Sequence, residues 1–395
     1  MDRAIKKHSG YFILFVFVFL LHSCEGFFGK KTNSDFIDVP IYTNKAVAYV
    51  PVQPVWSGFV NPVDVIAGYD ELVYVADAGS QNIISFDQSG NELGRFPVPG
   101  ISAIAQDRSL DILAIGTFDT LGYSLATIYR IELKNSNYGL SGAHIEKKII
   151  HPFYYRVNPP NNAIEASVRF KAIGLKADNS FFLTRSGPTS NVQGQDDAVL
   201  LFRADDSFVT PINIQTSTGI FSDYFKAPHS IVTQAMPPQS PFVNKSSDFL
   251  VSLLDNGVTL KVQYISVVET DNGITYSVQN LGTGDTAKAE RFLYEPYRFA
   301  HPADITVSGD GTGFVFVVDS EKDSLYQFNL NGYEGVKPPA GSSSTKYILT
   351  SFGGTGMGLS QFKNPSGVAY LNKIVYVADA GNSRVLRFKL TTDFD

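Results

Sequence analysis

The chain has 395 residues, 44% of them hydrophobic and 18% charged, with 32 Lys and Arg against 38 Asp and Glu for a net charge of −6. That acidic balance argues against nucleic acid or an anionic membrane surface as the main partner. One cysteine in the whole chain excludes an intramolecular disulfide, and 30 Phe and 20 Tyr beside a single Trp favour strands over helices.

The chain opens with the bases Arg3, Lys6 and Lys7, followed by an apolar run over residues 11–21. That run is short of the roughly 20 residues of a membrane span and suits the hydrophobic region of a signal peptide. It ends in Leu21-His22-Ser23-Cys24, which resembles the bacterial lipoprotein box. The resemblance implies removal of residues 1–23 as a signal peptide and lipidation of Cys24, with palmitate-type acylation of the new amino terminus. Two or three chains make a stable anchor where one would not. Residues 24–44, with Lys30, Lys31, Thr32, Asn33 and Ser34, then read as a flexible tether, and residues 45–395 as the folded body. The expected address is the bacterial cell envelope, at the outer membrane, with the lipid as the sole membrane contact.

The body is built from like units. Val73-Tyr74-Val75-Ala76-Asp77-Ala78-Gly79 recurs as Val375-Tyr376-Val377-Ala378-Asp379-Ala380-Gly381, the mark of a repeat architecture. The first unit opens on Phe59-Val60-Asn61-Pro62 and continues through apolar runs at 63–67, 72–76, 83–86 and 93–98, split by Gly, Asp and Asn turns. Short runs so separated predict an antiparallel meander. A second unit is expected over 101–133, a third over 168–203, and a fourth from Phe225-Lys226-Ala227-Pro228 to Ile265. The fifth runs from Phe299-Ala300-His301-Pro302 to Phe328, and the sixth from Phe352 through Phe362-Lys363-Asn364-Pro365 to Phe388.

On these residues the chain resembles the NHL-repeat family of β-propellers, most closely over 352–388, where Gly353, Gly356 and Gly358 precede the Phe-x-x-Pro motif. The resemblance implies an all-β, six-bladed β-propeller of the NHL/TolB-like kind. The last unit supplies three strands, and residues 45–55 precede the first unit without a partner. The N-terminal strand is therefore expected to complete the last blade and close the ring.

The family places its ligand site beside the Phe-x-x-Pro proline, where the innermost strands enter the channel. That implies a mouth formed by Asn61, Asp64, His229, His301, Asp304 and Asn364. Imidazole and carboxylate suit zinc, while Asn and Asp suit calcium, so His229, His301 and Asp304 are the candidate metal ligands; no other cofactor is expected. Related propellers include a peptidyl-amidoglycolate lyase and lactonases, so a metal-dependent lyase or lactonase at the channel mouth is one expectation. The other is a non-catalytic propeller binding an envelope protein or glycan through a rim of Tyr155, Arg156, Tyr224, Tyr297 and Arg298. No Gly-x-Ser-x-Gly motif is present, and Gly353-Gly354-Thr355-Gly356-Met357-Gly358 leads into a blade start instead of a helix, against a phosphate loop. Asp77, Asp319 and Asp379 are expected to hold backbone N–H groups at the turn after the second strand.

Overall fold

The computed structural model describes residues 46–152, 162–188, 196–235, 237, 246–271 and 273–394. Its strands form six separate sheets, arranged as a six-bladed β-propeller. After a closing strand β1 (Tyr49–Pro51), blade one holds β2 (Pro62–Ala67), β3 (Val73–Asp77), β4 (Asn82–Phe86) and β5 (Glu92–Pro97). Blade two holds β6 (Ala103–Gln106), β7 (Ile112–Thr120), β8 (Tyr123–Glu132) and β9 (His144–Ile150). Blade three holds β10 (Arg169–Leu175), β11 (Phe181–Ser186), β12 (Ala198–Phe202) and β13 (Phe208–Pro211).

Blade four is larger. To β16 (Pro228–Thr233), β17 (Phe249–Leu253), β18 (Val262–Thr270) and β19 (Gly273–Val278) it adds β14 (Ile214–Thr216), parallel to β19, and an edge strand β15 (Gly219–Phe221). Blade five holds β20 (Pro302–Val307), β21 (Phe314–Asp319), β22 (Ser324–Asn329) and β23 (Phe352–Gly353). Phe352 and Gly353, expected to open the sixth unit, thus form the outer strand of the fifth, paired with Leu325 and Ser324. Blade six is β24 (Pro365–Leu371), β25 (Ile374–Asp379) and β26 (Arg384–Leu390), completed by β1. Tyr49, Val50 and Pro51 pair with Leu390, Lys389 and Phe388, so the closing strand runs as expected.

Alternation along each strand explains the packing. In β3, Val73 and Val75 face blade six, while Tyr74 and Ala76 face blade two. The same division repeats around the ring, so every sheet is buried on both faces and each hydrophobic core lies between two successive blades. The phenylalanines of the four Phe-x-x-Pro motifs (Phe59, Phe225, Phe299 and Phe362) are wedges in these cores, each against the preceding blade. Burying each ring contributes about 1.5–3 kcal/mol. The six innermost strands follow one another in a closed circle, β2, β6, β10, β16, β20 and β24, with β24 back against β2.

A second repeat went unread in the sequence. Asp178, Asp205 and Asp310 each accept a backbone N–H and a hydroxyl from the Ser or Thr two residues on, at 2.5 to 3.0 Å. These Asp-x-Ser/Thr turns close successive strands, with Asn179 and Asp206 in the left-handed region at φ 66°.

Candidate functional site

The site is built from the first residues of the inner strands. In β2 and β20 the ladder slips one residue between the proline and the Asp two places on, at Pro62/Asp64 and Pro302/Asp304. The same slip occurs at Pro365/Gly367. A bulge of this kind re-aims a side chain, and here it aims along the ring at the next blade. Asp64 accepts the N–H of Ile104 at 2.8 Å, joining blade one to blade two. Asp304 accepts the N–H of Val368 at 2.8 Å, joining blade five to six. Between blades four and five, the Ser230 hydroxyl accepts the Ile305 N–H at 3.1 Å and donates to Asp304 at 2.7 Å. Thr184 donates to the His229 carbonyl at 2.7 Å between blades three and four.

Asp64 and Asp304 are half-buried where they line the channel. Burial raises the Asp64 carboxyl to about 6. Asp304 rises to about 8, first from burial and then from the charge of Asp64. Burial and the charge of Asp64 thus favour the protonated form of Asp304.

Two cavities meet at this pair. One, about 90 Å³, is mostly apolar and lined by Ile66, Ala105, Leu175 and Thr233, with Tyr69 donating its hydroxyl to the Ala235 carbonyl at 2.6 Å across the channel. The other, about 280 Å³, sets Ser102, Thr117, Arg169, Lys171, His229, Ser230 and Ser366 among apolar residues such as Val63, Ile115 and Phe170, with Asp64 and Asp304 at its floor.

His229 and His301 stand edge to face with ring centres 5.8 Å apart, and His301 Nδ1 shares a hydrogen bond with the Ser320 hydroxyl at 2.7 Å. Burial, then the charges of Lys171 and His301, pushes His229 down to about 3, so it is neutral. Among the described residues no group of three or more His, Cys, Asp or Glu converges in a way that could hold a metal ion. The two histidines and Asp304 do not make up a ligand set, and no step is derived through zinc or calcium.

The remaining expected residues scatter. Asn61 and Asn364 are exposed in the loops before their strands, their N–H groups donated to Asp77 at 2.6 Å and Asp323 at 2.7 Å. Neither lines this second cavity. Asp77 also takes the N–H of Val60, and the donors outweigh the burial that would raise it, holding its carboxyl below the usual range. Asp319 likewise takes the N–H groups of Ala300, His301, Glu321 and Lys322, so these buried acids tie the Phe-x-x-Pro loop to the turn that follows the second strand.

Of the rim, Tyr297 is 73% exposed. Tyr224 donates to Gln263 and stands edge-on to Phe225. Arg298 does not face solvent: it is paired with Glu334 and lies 4.8 Å over the Tyr326 ring, because Glu334 is itself buried and needs the charge. Tyr155, Arg156 and Cys24 lie outside the described residues. Lys171 and Arg169 were missed in the sequence. The available signal was two cations on alternate positions of an inner strand that otherwise reads Phe170, Ala172 and Ile173.

The fold and this channel define a six-bladed β-propeller with a channel mouth lined in part by polar groups. Residues 362–388 match the family model described as NHL repeat, so blade six carries an NHL repeat. No curated protein matches the chain. Solved structures with similarity include a structural genomics protein of unknown function from Bacteroides thetaiotaomicron VPI-5482, 14% identical, with 87% of this chain and 76% of that one covered and a TM-score of 0.49. The PQQ-bound aldose sugar dehydrogenase from Streptomyces coelicolor is 12% identical over 87% of this chain and 98% of its own, with a TM-score of 0.49. An auxiliary nutrient binding protein from Bacteroides thetaiotaomicron VPI-5482 is 10% identical over 84% and 70%, with a TM-score of 0.47. None is similar enough to carry an argument about the chemistry of this chain.

Proposed function

We propose that the chain is a cell-envelope lipoprotein, anchored through Cys24 at the outer membrane, whose propeller binds a ligand at the mouth of its channel without transforming it. One observation carries this reading: each of the two acids at the floor of the mouth accepts a backbone N–H of the next blade, Asp64 from Ile104 and Asp304 from Val368. Such bonds fix each side chain along the ring as a tie between successive blades. The two acids thus hold the ring together, and the other polar groups lining the cavity include a lysine, an arginine, a neutral histidine and hydroxyls, which suit recognition.

The test is elemental analysis of the purified chain before and after chelator, beside His301→Ala. The expected result is no stoichiometric metal in either protein. One zinc or calcium per chain that is lost on His301→Ala overturns the reading in favour of a metal-dependent lyase or lactonase. The anchor has its own test. Cys24→Ala is expected to move the protein from the membrane fraction to the soluble fraction, and retention in the membrane would refute lipidation at that residue.

A further inference from the structure

We propose that the channel mouth binds a small hydroxylated organic acid, its carboxylate held by the ammonium of Lys171; this rests on reading the mouth as the ligand site. Lys171 lines the cavity beside His229 and has no ion pair or hydrogen bond among the described residues. Its neighbour Arg169 differs, donating to the carbonyls of Ala166 and Val168 at 2.6 and 2.8 Å. A cation drawn into an enclosed space without a counter-charge loses hydration that nothing in the protein returns. Burial and the charge of Arg169 accordingly lower its proton affinity. Neither acid at the floor forms an ion pair with it: Asp304 is bonded to Ser230 and Val368, and Asp64 to Ile104. An anionic ligand supplies the missing partner.

The rest of the lining narrows the class. The Ser102 and Thr117 hydroxyls line the same cavity and make no side-chain hydrogen bond among the described residues, which leaves them for ligand hydroxyls. One ammonium balances one negative charge. Arg169 also lines the cavity but is held by two carbonyls, so Lys171 is the unbonded cation; a single carboxylate matches it, whereas a phosphate dianion would bring a second charge toward Asp64. The space of about 280 Å³ limits the ligand to the size of a monosaccharide acid.

The experiment is titration calorimetry on the full chain purified in detergent, at pH 7 and low salt, with D-galacturonate, D-gluconate, D-galactose and D-galactose 1-phosphate. At least one of the two acids is expected to bind at least tenfold more tightly than galactose or the sugar phosphate. Lys171→Met is expected to weaken that acid at least tenfold, and Lys171→Arg to retain part of the affinity. Because Lys171 makes no bond within the described residues, Lys171→Met is expected to keep the melting temperature, and Ser102→Ala serves as a second variant that weakens binding without touching the charge. Failure of both acids to bind, equal binding of acid and galactose, tighter binding of the phosphate, or indifference to Lys171→Met each overturns the inference. Galactose binding unaffected by Lys171→Met would do so while leaving the binding-propeller reading intact. Stoichiometric metal dependent on His301 would remove that reading itself.

Discussion

At the scale of single residues, position and role separate. Asp64 and Asp304 were legible as mouth residues because each stands two places after the proline of a Phe-x-x-Pro motif. Where their oxygens point was not legible, since it depends on a bulge and on the neighbouring blade's N–H. The pair has a consequence for stability. The Asp304 carboxyl titrates at about 8 in the folded chain against an ordinary 3.8, so the folded chain keeps a proton that the unfolded chain releases. The associated stability is complete below the unfolded value and is lost as pH rises through the folded one. Asp304→Asn preserves an acceptor for Val368 and removes the charge, with the Ser230 hydroxyl, which donates to Asp304 in the parent, turning to accept from the new amide. It is expected to match the parent near pH 4 and to exceed it above pH 8 by about 1 kcal/mol, a modest figure because channel water screens the site. Urea unfolding at the two pH values measures this, and a variant less stable at high pH would show that the charged form is not penalised.

At the scale of elements, β1 decides whether the ring is closed. Only three residues pair with β26, but Trp56 extends the contact by bridging to Val385 and stacking on Phe86 at 5.0 Å and Tyr376 at 5.4 Å. Deleting residues 1–57 would expose the edge of β26 and empty the Trp56 pocket, and loss of a buried Trp alone costs about 3–5 kcal/mol. That truncation is expected to lower the thermal midpoint sharply and to produce aggregates on size-exclusion chromatography, whereas deletion of residues 1–44 should do neither. As the single Trp in the chain, Trp56 also reports closure directly by its fluorescence. The closing strand was legible because an unpaired strand at one end and a three-stranded unit at the other demand each other. The additions to blade four were not. Ile214–Thr216 carries little pattern, and its parallel partner β19 lies beyond the whole of β16 to β18.

For the whole molecule, the joint between the last and first blades is tight at Gly367. At the position where blades one and five carry Asp, blade six has Gly367; a β-carbon there would come within 2.8 Å of the Val65 nitrogen and 2.9 Å of the Asp64 α-carbon. Both are backbone atoms and cannot swing away. Ser366 donates to the Pro62 carbonyl at 2.9 Å across the same joint. Gly367→Ala is expected to force the two inner strands apart at a cost of about 1–3 kcal/mol, seen as a lower melting temperature. A midpoint equal to the parent's would show that the ring gives at this seam.

What the sequence alone determined is the repeat and its count. Alternating apolar strands and recurrent Phe-x-x-Pro and Val-x-Val-x-Asp motifs are local patterns, and local pattern sets strand, turn and the faces each sheet buries. What only the tertiary structure decided is the chemistry of the channel. Asp64 meets Ile104, Asp304 meets Val368, and Lys171 meets no counter-charge among the described residues because separate blades converge on one axis. Residues far apart in the chain share a low-dielectric space there, and their charges and hydrogen bonds are set by that convergence and not by sequence neighbours.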